Sequence, residues 1–60
     1  MDTFFMVWVE GTNSTHKRYG ARDIAEAEAE RLARHTGKPT YLLENVAMCT
    51  LADAPTRWER

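Results

Sequence analysis

The side chains that can act as nucleophiles, bases or metal ligands are few and widely spaced in this sequence. The chain has two histidines, His16 and His35, and a single cysteine, Cys49. They are separated by 19 and 14 positions, whereas structural zinc sites use closely paired ligands of the CxxC or HxxxH type. A lone cysteine also excludes an internal disulfide and suits a reducing compartment. The sequence therefore predicts no metal site, no cofactor and no disulfide.

Catalysis would require one of these groups to be activated by a neighbour inside a substrate pocket. Cys49 has no adjacent cation that would stabilise a thiolate, so we expect a buried or half-buried strand cysteine. His35 falls at the end of a helical segment, where its protonated form complements the helix dipole. We therefore expect a protein that is not an enzyme.

Glu28 is the one carboxylate at an unusual position. On a helical projection it lies about 40° from both Ile24 and Leu32, at the margin of the apolar face. A carboxylate there can pair with a cation on a strand or on a partner, but an ion pair with Arg31 is the simpler explanation. A single Glu does not supply the carboxylate pair that acid-base hydrolysis needs.

Positive charge gathers just before the helical segment, in residues 16–22, which we call the basic segment. Free N–H groups at a helix N-terminus attract phosphate, and an aromatic ring can stack on a base. This indicates a nucleotide or nucleic acid as an alternative ligand, although the glycine spacing of a phosphate-binding loop is absent. The same cations are also expected if the segment is an edge strand, where solvated charge prevents unwanted strand pairing. The net charge of -1 argues against nucleic-acid binding through bulk positive charge. The candidate anion-binding residues are Lys17, Arg18, Tyr19 and Arg22.

A small number of elements must position these residues. The continuous apolar run in residues 3–10 predicts a strand. We expect residues 11–14 to form a turn and residues 15–19 to form a short polar strand that completes a hairpin. Residues 22–35 predict a helix because they are rich in Ala, Glu, Arg and Leu, and Gly37 and Pro39 mark its end. Residues 40–51 predict the last strand, with a bulge or a strand end near Asn45.

This order predicts one α+β domain over residues 1–51, followed by an extended C-terminal tail at residues 52–60. We expect a small two-layer ββαβ fold, in which one helix packs on one face of an antiparallel sheet of about three strands. A chain of 60 residues buries only about 60% of its unfolded surface, so association is a common supplement to its stability. Helical periodicity places the following residues on the packed face: Ala21, Ile24, Ala25, Ala29, Leu32 and Thr36.

The first strand is apolar on both sides. Alternate residues project to opposite sides, Phe5, Val7 and Val9 to one and Phe4, Met6 and Trp8 to the other. One helix covers only one side of this strand. Burying each large apolar side chain on the uncovered side is worth roughly 1.5 to 3 kcal/mol. The tail with Trp58, a second copy of the chain or a different protein can provide the cover. The residues predicted to mediate association are Phe4, Met6, Trp8 and Trp58.

The apolar run at residues 4–9 follows Asp2 and is too short for a membrane span or a signal peptide. We therefore expect a cytoplasmic protein with no membrane partner.

Several of these segments together resemble a known group of proteins. Phe5, Val7-Trp8, His16, the stretch AEAEAERLAR at residues 25–34, Gly37 and YLLE at residues 41–44 resemble short uncharacterised accessory proteins of tailed bacteriophages and prophages, over residues 4–46. That group has no agreed activity or catalytic residues to carry over. The resemblance implies a phage protein in the bacterial host cytoplasm that binds, and inhibits, a host protein. We thus expect a non-catalytic, homo-oligomeric phage accessory protein, with the small phosphate-ligand binder as the alternative.

Overall fold

The computed structural model describes residues 2–13, 17–50 and 56–60. In these residues the chain forms one helix and four strands, and the strands pair into two antiparallel sheets. This confirms the α+β class. The elements are β1 (Phe5–Val9), α1 (Arg22–Thr36), β2 (Thr40–Glu44), β3 (Met48–Thr50) and β4 (Arg57–Glu59).

The larger sheet pairs β1 with β2 in an antiparallel register that sets Val7 opposite Leu42. On the other side of β1, Phe5 and Tyr19 exchange two backbone hydrogen bonds of 2.8 Å. β1 therefore lies between β2 and Tyr19, in the middle of the basic segment. Of the polar strand predicted at residues 15–19, the described residues 17–19 form only this single bridge, so the sheet of the described residues has two strands, β1 and β2.

The helix begins at Arg22, as predicted, and ends at Thr36, one residue beyond the predicted end. Its start has no side-chain cap, because Ala21 occupies the N-cap position. Its end is well defined: Gly37 adopts the left-handed conformation with φ 69° and donates its N–H to the Ala33 carbonyl over 2.9 Å. A side chain at this φ would be strained, which explains the glycine.

The core lies between α1 and one face of the β1–β2 sheet. Phe5, Val7, Val9 and Ala25 are buried, and Tyr19, Ala29, Leu32 and Leu42 pack against the cluster. Ala25 is fully buried, because its small side chain lets the helix approach the sheet closely.

The prediction that Ile24 belongs to the packed helix face is wrong, since Ile24 is 58% exposed. On a helical projection Ile24 is about 100° from Ala25, the centre of the buried stripe. A sheet this narrow does not reach a residue that far around the helix.

The second sheet, which we call the hairpin arm, consists of β3 and β4 paired with Cys49 opposite Trp58. The strand predicted at residues 40–51 is thus divided, and its interruption near Asn45 is confirmed. The segment predicted as an extended tail instead contributes β4 to a sheet. β1, β2 and α1 pack on one another, whereas the described strands of the arm pack only on each other.

The arm also corrects the expectation for Cys49, which is exposed instead of buried or half-buried. The cause is its location: β3 belongs to a two-stranded sheet without a helix over it, so neither face of the strand is covered.

Several predicted features lie outside the described residues. They are the end of the first turn and the start of the polar strand at residues 14–16, which include His16, and the segment at residues 51–55. The helix of the described residues is too short and too polar to cross a membrane.

Candidate functional site

The face of the β1–β2 sheet opposite the helix is lined by large apolar side chains. Met6 pairs with Leu43 and Trp8 pairs with Tyr41, and directly paired residues project to the same face. Val7, which lies between Met6 and Trp8 in β1, packs against the helix. Met6, Trp8 and their partners in β2 therefore project from the opposite face of the sheet. We call Phe4, Met6, Trp8, Tyr41 and Leu43 the open face.

An aromatic pair fixes the centre of the open face. The rings of Trp8 and Tyr41 stack with centroids 5.4 Å apart. The Trp8 indole N–H donates to the Thr12 carbonyl over 2.8 Å, and the Tyr41 hydroxyl donates to Glu10 Oε1 over 3.1 Å. The hydrogen bond to the Glu10 carboxylate raises the pKa of Tyr41 above its ordinary value. Both rings are therefore held in one orientation before any partner binds.

Phe4 forms one end of the open face and is held by backbone and side-chain contacts. Its N–H donates to Asn45 Oδ1 over 2.7 Å, while the Asn45 N–H donates to the Phe4 carbonyl over 3.3 Å. The Arg18 guanidinium lies over the Phe4 ring, 4.3 Å from its centre, as a cation-π contact requires. A cavity of about 440 Å³ begins at Phe4 and Arg18 and extends to Met48 and Glu59 in the hairpin arm.

The open face is only partly covered by the chain itself. Tyr41 and Leu43 are 43% and 44% exposed, and Phe4, Met6 and Trp8 are half-buried. Trp58, the fourth residue predicted for association, is 57% exposed and lies in the separate β3–β4 sheet. The structure thus brings Phe4, Met6 and Trp8 together but leaves Trp58 on the arm.

The predicted anion-binding residues do not converge on one point. The Lys17 ammonium lies 5.3 Å from the centre of the Tyr19 ring, and Arg18 lies over Phe4. The Arg22 Nε–H donates to Glu26 Oε1 over 2.9 Å. Tyr19 packs against the core, so its ring has one side occupied by protein. These cations contact rings and a carboxylate of the same chain.

The remaining titratable candidates are dispersed. The predicted Glu28–Arg31 ion pair is confirmed; hydrogen bonds from the Arg31 guanidinium lower the pKa of Glu28, with a further contribution from Lys17. His35 lies in the last turn of α1 and Cys49 in the arm. Across residues 2–13, 17–50 and 56–60, no three His, Cys, Asp or Glu side chains are grouped as a metal would require.

Sequence reasoning did not assign Tyr41 and Leu43 to the association surface. The signal that would have found them is the period of two within residues 40–44, which separates these two side chains from Leu42. Their assignment to the open face further needs the register with β1, which determines the side chains they adjoin.

Comparison of the chain with protein-family models, curated proteins and solved structures gives no match.

Proposed function

We propose that this chain is a non-catalytic binding module that attaches to another protein through its open face. In keeping with the phage resemblance, the partner would be a host protein whose surface the module occupies and so inhibits. The observation that carries the proposal is the oriented aromatic pair of half-buried Trp8 and exposed Tyr41 beside Met6 and Leu43.

The composition of the open face favours a protein as the partner. Interface cores are enriched in Trp, Tyr, Phe and Met and depleted in acidic residues and Lys, and a few aromatic anchors supply most of the binding energy. The face has three aromatic residues, Phe4, Trp8 and Tyr41, with Met6 and Leu43 between them. A partner that buried them would gain several kcal/mol, at roughly 25 cal/mol per Å² of apolar surface.

The rigidity of the aromatic pair adds to this argument. Binding is weakened when side chains must be ordered at the interface, by about 0.5 to 1.5 kcal/mol for each flexible one. Here the Trp8 indole and the Tyr41 hydroxyl are each anchored by a hydrogen bond to the same chain. Little further ordering is needed when a partner arrives.

We propose a non-catalytic role because the described groups that could act as a nucleophile or a base lie in separate elements. His35 and Cys49 lie in different elements, and the cavity beside Phe4 is lined by neither. Among the described residues, those that line it include the opposite charges of Arg18 and Glu59 but no nucleophile with an activating base.

Photo-crosslinking tests the proposal. A benzophenone amino acid is placed at Leu43 on the open face, which leaves the Trp8–Tyr41 pair intact, and in a separate protein at Ile24, an apolar residue that is also exposed but lies on the helix. Each protein is irradiated in lysate of a bacterial host, and crosslinked species are identified by mass spectrometry. A third protein combines the Leu43 probe with Trp8→Ser.

We expect a defined host protein crosslinked from position 43, absent from position 24 and lost in the Trp8→Ser protein. The same crosslinks from both positions, or none from either, would overturn the proposal. A crosslink from position 43 that survives Trp8→Ser would show that the aromatic pair does not anchor the partner.

A further inference from the structure

The outer edge of β2 presents backbone groups that have no partner in the described part of the chain. The Glu10 N–H donates to the Pro39 carbonyl over 2.9 Å, and the Asn45 N–H donates to the Phe4 carbonyl over 3.3 Å. These bonds identify the residue pairs that exchange hydrogen bonds across β1 and β2, and such pairs alternate along an antiparallel ladder. Tyr41 and Leu43 therefore bond to β1. The N–H and C=O groups that face outward belong to Thr40, Leu42 and Glu44.

This edge lacks the usual features that prevent strand pairing. Edge strands are commonly protected by Lys or Pro within the strand, by a bulge or by a covering element. β2 reads Thr-Tyr-Leu-Leu-Glu, without Lys, Pro or Gly, and in the described residues it pairs only with β1. The opposite edge of the sheet is occupied at Phe5 by Tyr19. The free edge is thus a template for one more antiparallel strand.

We propose that this strand is β2 of a second copy, paired antiparallel about a two-fold axis at Leu42, so that the two sheets become one. This inference concerns the strand edge and goes beyond the proposed use of the open face. In this register Leu42 exchanges hydrogen bonds with Leu42 of the second copy, and Thr40 lies opposite Glu44. All five residues of β2 are paired, whereas a shift in either direction leaves residues at the ends without a partner.

Charge complementarity supports a second copy as the occupant. Lys38 precedes β2 and Glu44 ends it, and both are exposed. Antiparallel pairing therefore places each Glu44 opposite Thr40 of the other copy and brings its long side chain toward Lys38, which lies in the bend two residues before that threonine. The two Glu44 side chains are about 13 Å apart along the strands.

The open faces also match in this arrangement. Tyr41 lies opposite Leu43 of the second copy. The side chains of Trp8 and Tyr41 in one copy therefore form a continuous row with those of Leu43 and Met6 in the second copy. Both copies contribute the same row, as an isologous interface requires. The joined sheet carries its helices on one side and a doubled apolar face on the other.

Charge reversal at the strand ends tests the pairing, with the mass of the full chain measured by sedimentation equilibrium at low salt. Lys38→Glu and Glu44→Lys each replace two attractions per dimer by two repulsions. Loss of the two attractions alone, at about 0.2 to 1 kcal/mol per pair, weakens the dimer about 2- to 30-fold, and the new repulsions weaken it further. The double variant restores the attraction with reversed sign and should restore wild-type affinity. Glu30→Lys on the exposed side of the helix makes the same change in net charge as Glu44→Lys and should not alter the mass.

Isotope-filtered NMR of a mixed labelled and unlabelled sample gives a direct second readout. In the proposed register Tyr41 and Leu43 of the other copy form a non-hydrogen-bonded pair, whose Cα atoms are about 4.5 Å apart. We expect an intermolecular Hα–Hα contact between them. A chain that is monomeric at millimolar concentration, a dimer unaffected by both single reversals, or reversals without rescue in the double variant would each overturn the inference.

Discussion

Val7 and Trp8 are neighbours in β1 whose side chains lie on opposite faces of the sheet, so changing one at a time separates stability from binding. Val7 is 2% exposed and is the largest fully buried side chain among the described residues. Val7→Ala removes two buried carbon groups, worth about 1.6 kcal/mol in transfer free energy. The cavity left behind adds to this, for a total of about 2 to 3 kcal/mol.

That loss is large for so small a domain. At about 0.05 to 0.15 kcal/mol per residue, a chain of this length has an unfolding free energy of roughly 3 to 9 kcal/mol. For Val7→Ala we therefore expect a melting temperature lower by about 10 to 20 °C. Thermal unfolding followed by circular dichroism of the helix, at one fixed protein concentration, measures the shift.

Trp8→Ser should behave differently. It removes the stack on Tyr41 and the hydrogen bond to Thr12, which lie outside the helix-facing core, so the helix signal should persist at low temperature. Crosslinking from position 43 should nevertheless disappear. At a temperature where both variants are folded, Val7→Ala should retain the crosslink. If Val7→Ala loses it as completely as Trp8→Ser does, the open face has no special role in binding.

Three further outcomes follow from contacts in the structure. Asn45→Ala leaves the half-buried Phe4 N–H without its acceptor and should cost about 1 to 2 kcal/mol in urea unfolding; an unchanged midpoint would contradict this. Because hydrogen bonding to Arg31 lowers the folded-state pKa of Glu28, its stabilisation is present above the ordinary value of 4.5 and is lost as the pH falls below it. NMR titration should show this depressed pKa, and Arg31→Gln should return it toward 4.5. Binding of an oligonucleotide to the basic segment, the alternative function, should weaken steeply with salt, and no binding at low salt would remove that alternative.

Much of the fold could be predicted from local signals. The apolar run around Val7, the Ala-rich helix and Gly37 at its end each encode their conformation within a few residues, and these elements formed where expected. The strand end near Asn45 was also visible as a break in alternation. Such features depend on backbone preferences and on periodicity, which a sequence displays directly.

The features that were missed depend on which segments meet. The pairing of Arg57–Glu59 with Met48–Thr50 joins two short stretches with little apolar pattern, and the exposure of Cys49 follows from it. The exposure of Ile24 depends on the width of the sheet beneath the helix. Tyr41 and Leu43 join the open face only once β2 is aligned with β1. None of these follows from local preference alone.

The division of the chain into a helix-covered sheet and a bare two-stranded arm affects how its unfolding must be measured. An isolated hairpin is marginally stable in water, so the arm should open at a far lower free energy than the core, and its amide hydrogens should exchange early. Each sheet contains one tryptophan, Trp8 or Trp58, and total fluorescence therefore mixes two transitions. A single free energy fitted to that signal would describe neither sheet.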